Sequence, residues 1–580
     1  MASDIEHADG SWQREFIIQL KLGLPQSFSA LVRRLIDAST LGFVGSLGDA
    51  TQLAAAGLAS STTNILALSV FVGMSSATVT LTSQAKGAGD SAQSAYWLHR
   101  ALLMNVTLSV PITLLLLLGF APVLSAMGQD ATVTAAAAAY CSCLLPGVWA
   151  WGANTALLPW LQCFGIVRTP LVVTLLLLPF HILLLKLLVS GSLGPLGAAL
   201  TWSTTLVLLV SLVVASVFCI RKLRALVPLR CPGAASCERL PAHLRLGCPG
   251  IINMGEWWAS EIAILLTGLL PEPPGSTRGL NLAAMTVYQS LNSIAFMWPL
   301  GASSAGAARV GALLGSGHAA GARRAAAVCF TLGTSLGILA TLVLLLLREQ
   351  SAHAFTADPA VIALLRALLP NLLFYIVADA GQVACSGVLN GCGRQRFGVP
   401  VTILSYYIVG LPTGVLFGFE FGLGWGAIGM VTGLLIGKAV HLAAFAALCL
   451  RTDWQQQVGE AAARVDAERG GGRKGEIRAV GRGEEERGRH GGESGASGVS
   501  MDRPFEATDL GEQAAPPGDQ AGGSGEQAAA NLAHAPAKQS PTPSAPSAPP
   551  AQPAAATLNY VLPDRITRSR MSRYAHLEDD

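Results

Sequence analysis

The chain carries nearly the same apolar unit twice. Leu20-Lys21-Leu22-Gly23-Leu24-Pro25 has a counterpart in Leu244-Arg245-Leu246-Gly247-Cys248-Pro249, 224 positions later. Gly87-Ala88-Gly89 returns as Gly315-Ser316-Gly317, Asp130 as Asp358 and Leu161 as Leu389, each at a spacing of 228, and Leu193-Gly194 returns as Leu423-Gly424 at 230. A spacing this constant over more than 170 residues implies two copies of one structural unit. Both copies are apolar, and duplicated apolar bundles are the plan on which many transporters are built.

Hydrophobic residues make up 51% of the chain although a long polar tail is included, and only 13% are charged, against about 25% in soluble proteins. Apolar runs such as Leu102 to Met127 and Leu200 to Ile220 approach or exceed the roughly 20 residues that a spanning helix needs. The spacing predicts an all-α membrane protein with twelve transmembrane helices, as two parallel six-helix repeats, or lobes, around a central cavity. The expected spans are 24 to 46, 54 to 79, 100 to 125, 131 to 157, 169 to 190 and 194 to 220, then 244 to 270, 280 to 304, 325 to 347, 360 to 386, 397 to 419 and 424 to 449. Six helices per unit is an even number, so both units enter the bilayer from the same side and the repeats are parallel.

The resulting domain plan is an N-terminal segment 1-19, a first lobe 20-222, a linker 223-243, a second lobe 244-450 and a tail 451-580. Arg14, Lys21, Lys86, Arg100, Arg168, Arg221, Arg245, Arg309, Arg323, Arg394 and Arg396 all fall on one side of this scheme, which places both termini and the linker in the cytosol. The first nineteen residues mix acids and bases without an apolar centre, so no cleavable signal peptide is expected. The net charge of +3 is small and dispersed and argues against nucleic acid as a partner. The cysteines, among them Cys141, Cys143, Cys231 and Cys237, lack the companion pairs of a zinc site and read as unpaired thiols. No metal or cofactor is expected. The Gly/Arg/Glu-rich and Pro/Ala/Ser-rich tail cannot bury enough apolar surface to offset chain entropy and reads as a disordered spacer, preceded by a short helix around Asp453 to Arg464.

An ionisable side chain at mid-bilayer costs at least about 2.5 kcal/mol and persists where it faces protein or water. Those expected within spans are Arg33, Arg34 and Asp37 in the first helix, His181 and Lys186 in the fifth, Glu256 and Glu261 in the seventh, Asp379 in the tenth, and Lys438 and His441 in the twelfth. Glu256 has no basic residue one turn away on its own helix, which favours a functional role over helix pinning. Glu256 and Glu261 are five apart, about 140° around a helix, so one addresses the cavity and the other a neighbouring helix. Asp379 is their natural partner. Arg33 and Arg34 lie within a turn of Asp37, and Lys438 lies within a turn of His441; for these, local pairing is the simpler expectation. Trp257, Trp258, Tyr288, Trp298, Tyr375, Tyr406 and Tyr407 flank the acids, and aromatic faces beside carboxylates suit an organic cation; ordinary packing or an interfacial belt is the competing explanation for any one of them.

Val44-Gly45-Ser46-Leu47-Gly48, Gln84-Ala85-Lys86-Gly87-Ala88, Glu256-Trp257-Trp258 with Glu261, Leu314-Gly315-Ser316-Gly317, Asp379-Ala380 with Gln382, Gly391-Cys392-Gly393-Arg394-Gln395 and Tyr406-Tyr407-Ile408-Val409-Gly410-Leu411-Pro412 together resemble the multidrug and toxic compound extrusion (MATE) transporters, in their eukaryotic branch. The resemblance spans residues 15 to about 465. It implies two six-helix lobes, alternating access and proton-coupled antiport exporting organic cations, drugs or secondary metabolites, with the acids Glu256, Glu261 and Asp379 carrying the coupling and Trp257, Tyr288, Trp298, Tyr375 and Tyr406 lining the cavity. Its partners are then a small-molecule organic cation, protons and the lipid bilayer, for a monomer in the plasma or vacuolar membrane. Organic anion (citrate) efflux, in which Arg33, Lys438 or His441 would matter more, and a lipid-carrier flippase are the alternatives. An enzyme is not expected, since no nucleophile, metal or phosphate-cradling motif is present. Ser46 stands where the family usually has His, and Thr82-Ser83 where it usually has Cys-Gly.

Overall fold

The computed structural model of the protein describes residues 11–47, 49–126, 128–191, 193–219, 240–272, 279–356 and 358–467. The expectations for most of the linker, with Cys231 and Cys237, and for the tail beyond residue 467 lie outside them. The first lobe contains α1 (Trp12–Gly45), α2 (Thr51–Gly87), α3 (Ala92–Ala126), α4 (Ala131–Cys163), α5 (Arg168–Val189) and α6 (Gly194–Cys219). The second contains α7 (Leu240–Asn253 continuing as Gly255–Thr267), α8 (Leu280–Gly315), α9 (Ala319–Leu346), α10 (Pro359–Cys392), α11 (Gln395–Gly418) and α12 (Gly426–Leu450). A further helix, α13, covers residues 454–467.

Among the described residues, nine of these helices are long and apolar enough to cross a membrane. The other three are α1, which carries Arg33, Arg34 and Asp37, α7, which is broken at Met254, and α8, which is diluted by Asn, Ser and Gly. Several helices outrun the spans expected from apolarity, because caps rather than hydropathy set their ends. Ser11 accepts a hydrogen bond from the Arg14 N–H and starts α1 a dozen residues before the first fully apolar stretch.

The duplication is written into the backbone. Asp130 Oδ1 accepts from the Thr132 N–H at 2.8 Å at the start of α4, and its counterpart Asp358 accepts from the Ala360 N–H at 2.8 Å at the start of α10. The two helices also end alike. Gly165 and Gly393 adopt φ of 77° and 73°, and the next residue's N–H reaches back to the carbonyl of Leu161 or Leu389. Gly89 and Gly317 repeat the device, at φ of 76° and 82°, after α2 and α8. Most of the echoes in the sequence are therefore helix ends, whereas residues 20–25 and 244–249 lie inside α1 and α7.

Each lobe has its own core. One is built on Phe71, Leu144, Trp160, Leu185 and Trp202, the other on Met285, Tyr288, Leu368, Tyr375 and Met430. The lobes meet along α1, α2, α7 and α8, with a pseudo-two-fold reciprocity: Gly87 lies against the backbone of Ala312, and Gly315 against that of Gln84. Ala312 and Gly315 stand 228 positions after Gln84 and Gly87, so one repeat contact occurs twice with the partners exchanged. This closure is at the end rich in Lys and Arg. Gln84 Nε2 donates to the Gly391 carbonyl at 3.0 Å, Gln395 Nε2 to Thr80 Oγ1 at 2.8 Å, and Arg309 pairs with Glu15 at 3.0 Å, each across the lobes. Trp454, Val458 and Ala461 of α13 pack on the second lobe, and Arg464 donates to both Gln84 Oε1 and the Cys392 carbonyl at 3.1 Å.

Candidate functional site

The site begins with the break in α7. Pro249 lacks an N–H, and at Met254 the chain takes a tight turn, the Trp257 N–H bonding to the Met254 carbonyl at 2.9 Å. The second half of the helix restarts at Gly255, so Glu256 sits in its first turn, where the free N–H groups and the helix dipole favour a carboxylate. Neighbouring α11 satisfies the groups that the break exposes: the Tyr407 hydroxyl donates to the Gly255 carbonyl at 2.9 Å, and Asn253 Nδ2 donates to the Gln395 carbonyl at 3.1 Å. The segment Ile403–Gly410 of α11 is π-helical, an irregularity found often at functional sites, and it carries Tyr406 and Tyr407.

Opposite stands α12. Gly433 and Gly437 pack against Gly410 and Gly414, two small-xxx-small pairs face to face, so α11 and α12 approach at backbone distance. That crossing delivers the next residue, Lys438, into the second lobe's interior. Its ammonium pairs with Glu256 Oε1 and with Asp379 Oδ1, the latter at 2.8 Å. It also lies 5.1 Å from the Tyr375 ring and 5.3 Å from the Tyr406 ring, within cation–π range. His441, one turn on, turns Nδ1 toward the Tyr406 hydroxyl at 3.0 Å and Glu256 Oε2 at 3.6 Å.

Burial is graded across the cluster. The side chain of Lys438 is 0% accessible, that of Asp379 4% and that of Glu256 11%, which makes Glu256 the member on the rim. A buried ion pair recovers its desolvation cost only when its charges are well partnered. Here a single cation serves two carboxylates.

The structure brings Glu256 and Asp379 together, as the sequence suggested, and adds Tyr375 and Tyr406 as walls, with Tyr288 buried behind them. It does not bring Glu261 or two of the expected aromatics. Glu261 is exposed on the other face of α7, with Arg34 of the first lobe as the cation acting on it. Trp257 is 41% exposed and packs edge-on to Phe296, because a residue adjacent to Glu256 is turned about 100° from it. Trp298 belongs to the lobe interface, where its carbonyl accepts from Ser27 and its ring meets Phe28 edge-on.

Lys438 and His441 do not pair with each other. Both address Glu256, which corrects the expectation of a local couple. The available signal was that a lysine inside a span with no acid on its own helix needs one elsewhere. In the first lobe, Asp37 accepts from Trp202 Nε1 at 2.9 Å, Arg33 donates to Ser29 at 2.7 Å, and His181 lies between Thr40 and Thr205, so each has a protein partner. Among the described residues no group of three or more His, Cys, Asp or Glu is arranged to hold a metal.

A family model described as MatE matches residues 25–186 and again 250–416, once per repeat. Protein DETOXIFICATION 36 of Arabidopsis thaliana is 30% identical over 450 residues, covering 77% of this chain and 87% of the relative. A fission-yeast protein (Schizosaccharomyces pombe) described as an uncharacterized transporter is 30% identical over 446 residues, covering 75% of this chain and 78% of its own length. Among solved structures, the eukaryotic MATE transporter AtDTX14 superposes with a TM-score of 0.72 at 25% identity, over 78% of this chain and 99% of that one.

Proposed function

The chain belongs to the MATE family of membrane transporters, and we propose that within it this protein is a proton-coupled antiporter that exports organic cations by alternating access, with Glu256 and Asp379 as the coupling acids. The observation that carries this reading is the convergence of two carboxylates on one buried ammonium in the second lobe, with Glu256 at the rim. Such a cluster has one negative charge more than it can neutralise internally. A proton or an organic cation satisfies that charge, and occupancy by one disfavours the other.

The basic end, where the lobes close through Gly87 and Gly315, is the cytosolic side on the positive-inside rule. With the termini there, this conformation denies the cytosol access to the cluster. A proton arriving from the opposite side protonates Glu256 and loosens the hold on a bound cation. Opening toward the cytosol returns that proton and lets the next cation bind. The coupling is an equilibrium between two ligands and two conformations, so no covalent step is needed. The protein acts as a monomer, in the plasma membrane or the vacuolar membrane.

Lys438 and His441 are the groups an anion site would use, yet both face carboxylates, and the ammonium is flanked by two of them. That favours a cation as the passenger. In proteoliposomes with an imposed pH gradient, labelled tetraethylammonium is expected to move against the proton and citrate is not. Glu256→Gln is expected to abolish the exchange while inserting normally. Full transport by that variant refutes the assignment.

A further inference from the structure

We propose that Lys438 is a built-in counter-cation that limits the site to one exchangeable positive charge and so excludes organic dications; this rests on the cation-antiport reading above. The carboxylates of Glu256 and Asp379 and the ammonium of Lys438 form one contact group, and the ammonium is wholly buried. Its surroundings hold it there. The Gly433–Gly437 face clamps α12 to α11 at the position just before it, and the rings of Tyr375 and Tyr406 flank it at 5.1 and 5.3 Å. A side chain anchored this way remains in the site through the cycle instead of leaving with each passenger.

The charge count follows. His441 is the other titratable neighbour. It bonds through Nδ1, and its buried Nε2 has no hydrogen-bond partner. A second N–H there would be left unsatisfied, so the imidazole is neutral. The Tyr375, Tyr406 and Tyr288 hydroxyls are neutral as well. Two carboxylates and one ammonium leave a single negative charge, which one proton or one monocation neutralises. A dication would leave an uncompensated positive charge beside Lys438, and like charges brought together in such a site repel strongly. Lys438 is thus a specificity-determining residue, and the exchange it permits is electroneutral.

Removing the ammonium releases the second charge. In proteoliposomes, the wild type is expected to carry tetraethylammonium with about one proton per cation, without response to an imposed membrane potential, and to carry methyl viologen, an organic dication, only at background. K438M is expected to raise the methyl viologen to tetraethylammonium flux ratio by roughly tenfold or more. E256Q alone leaves Asp379 and Lys438 balanced and inert. E256Q/K438M leaves Asp379 with one free charge and is expected to regain tetraethylammonium exchange, a rescue that a merely structural lysine would not give.

An unchanged flux ratio in K438M, or a double variant as inert as E256Q, overturns the proposal. Should these variants fail to insert, the wild type still decides, because tetraethylammonium flux driven by membrane potential contradicts a single-charge site. A wild type that moves no tetraethylammonium under any pH gradient refutes the antiport reading itself, an outcome distinct from a faulty charge count.

Discussion

The reciprocal glycine contact predicts how the two lobes separate. A Cβ on Gly87 would stand 2.8 Å from the Ala312 carbonyl carbon, and one on Gly315 would stand 2.8 Å from that of Gln84. Both glycines lie within helices and alanine fits their backbone, so the substitution acts through the other lobe alone. Backbone is on the far side of each contact, and no side chain can swing away. Overpacking of this kind costs about 1–3 kcal/mol, which lowers the population of the closed basic end by roughly 5- to 150-fold relative to open forms. The double variant Gly87→Ala/Gly315→Ala is expected to cost less than the two single costs together, because moving one rigid interface relieves both clashes.

Spin labels at the exposed positions Arg168 and Ala320, in a cysteine-depleted background, would read the lobe separation by double electron–electron resonance. Gly87→Ala and Gly315→Ala are expected to add a longer distance, and to similar extents. Gly89→Ala is the control. Its φ of 76° makes alanine strained, but nothing lies near the added atom, so stability falls and the distance does not change. An unaltered distance distribution in folded Gly87→Ala and Gly315→Ala would refute the argument that these glycines set the closed state.

Asp130→Asn is expected to lower thermal stability at pH 7 and to lose its effect as the pH falls below the usual carboxylate range. The hydrogen bonds from Thr132 and Val133 hold the exposed Asp130 carboxyl below the usual carboxylate range, so its contribution is full above the unfolded value of about 3.9 and vanishes as pH falls through the lower, folded one. Arg464→Ala removes hydrogen bonds from α13 to both lobes, worth about 1.5–3 kcal/mol for a charged donor. Hydrogen exchange over residues 454–467 is expected to quicken and the closed state to thin, whereas unchanged exchange would mean that α13 is held by its apolar face alone. Gly165→Ala and Gly393→Ala each force an L-residue into a left-handed cap, and each is expected to cost at least about 1–2 kcal/mol in an unfolding titration, with more at Gly393, where the added atom also meets Arg464 and Thr80. A cost at one position only would contradict the equivalence of the repeats.

The fold was legible where the sequence repeats and where caps are local. Asp130, Leu161, Gly87 and Gly89 stood out because their copies recur at one spacing, and each proved to be part of a helix end or of the lobe contact. The break in α7 was not legible from apolar length, since residues 244 to 270 read as one hydrophobic run. Half of the site was visible for a similar reason. Glu256 and Asp379 are acids inside apolar spans, and such residues announce themselves. Lys438 was visible as a charge but not as their partner, because which helices touch is decided by Gly410, Gly414, Gly433 and Gly437 packing across α11 and α12, and no periodicity within α12 reports that. Trp257 is a neighbour of Glu256 in sequence, and a helix turns such a neighbour away, whereas Trp298 lies on α8 with its ring against Phe28 of α1.

The central claim is that cation and proton compete for one site built on Glu256. Purified protein in a weakly buffered solution with an indicator dye tests it without any transport step. Tetraethylammonium binding near pH 7 is expected to release protons from the wild type, up to about one per cation bound, and to release none from Glu256→Gln. Binding by the wild type with no proton release, or the same release from Glu256→Gln, would contradict the account.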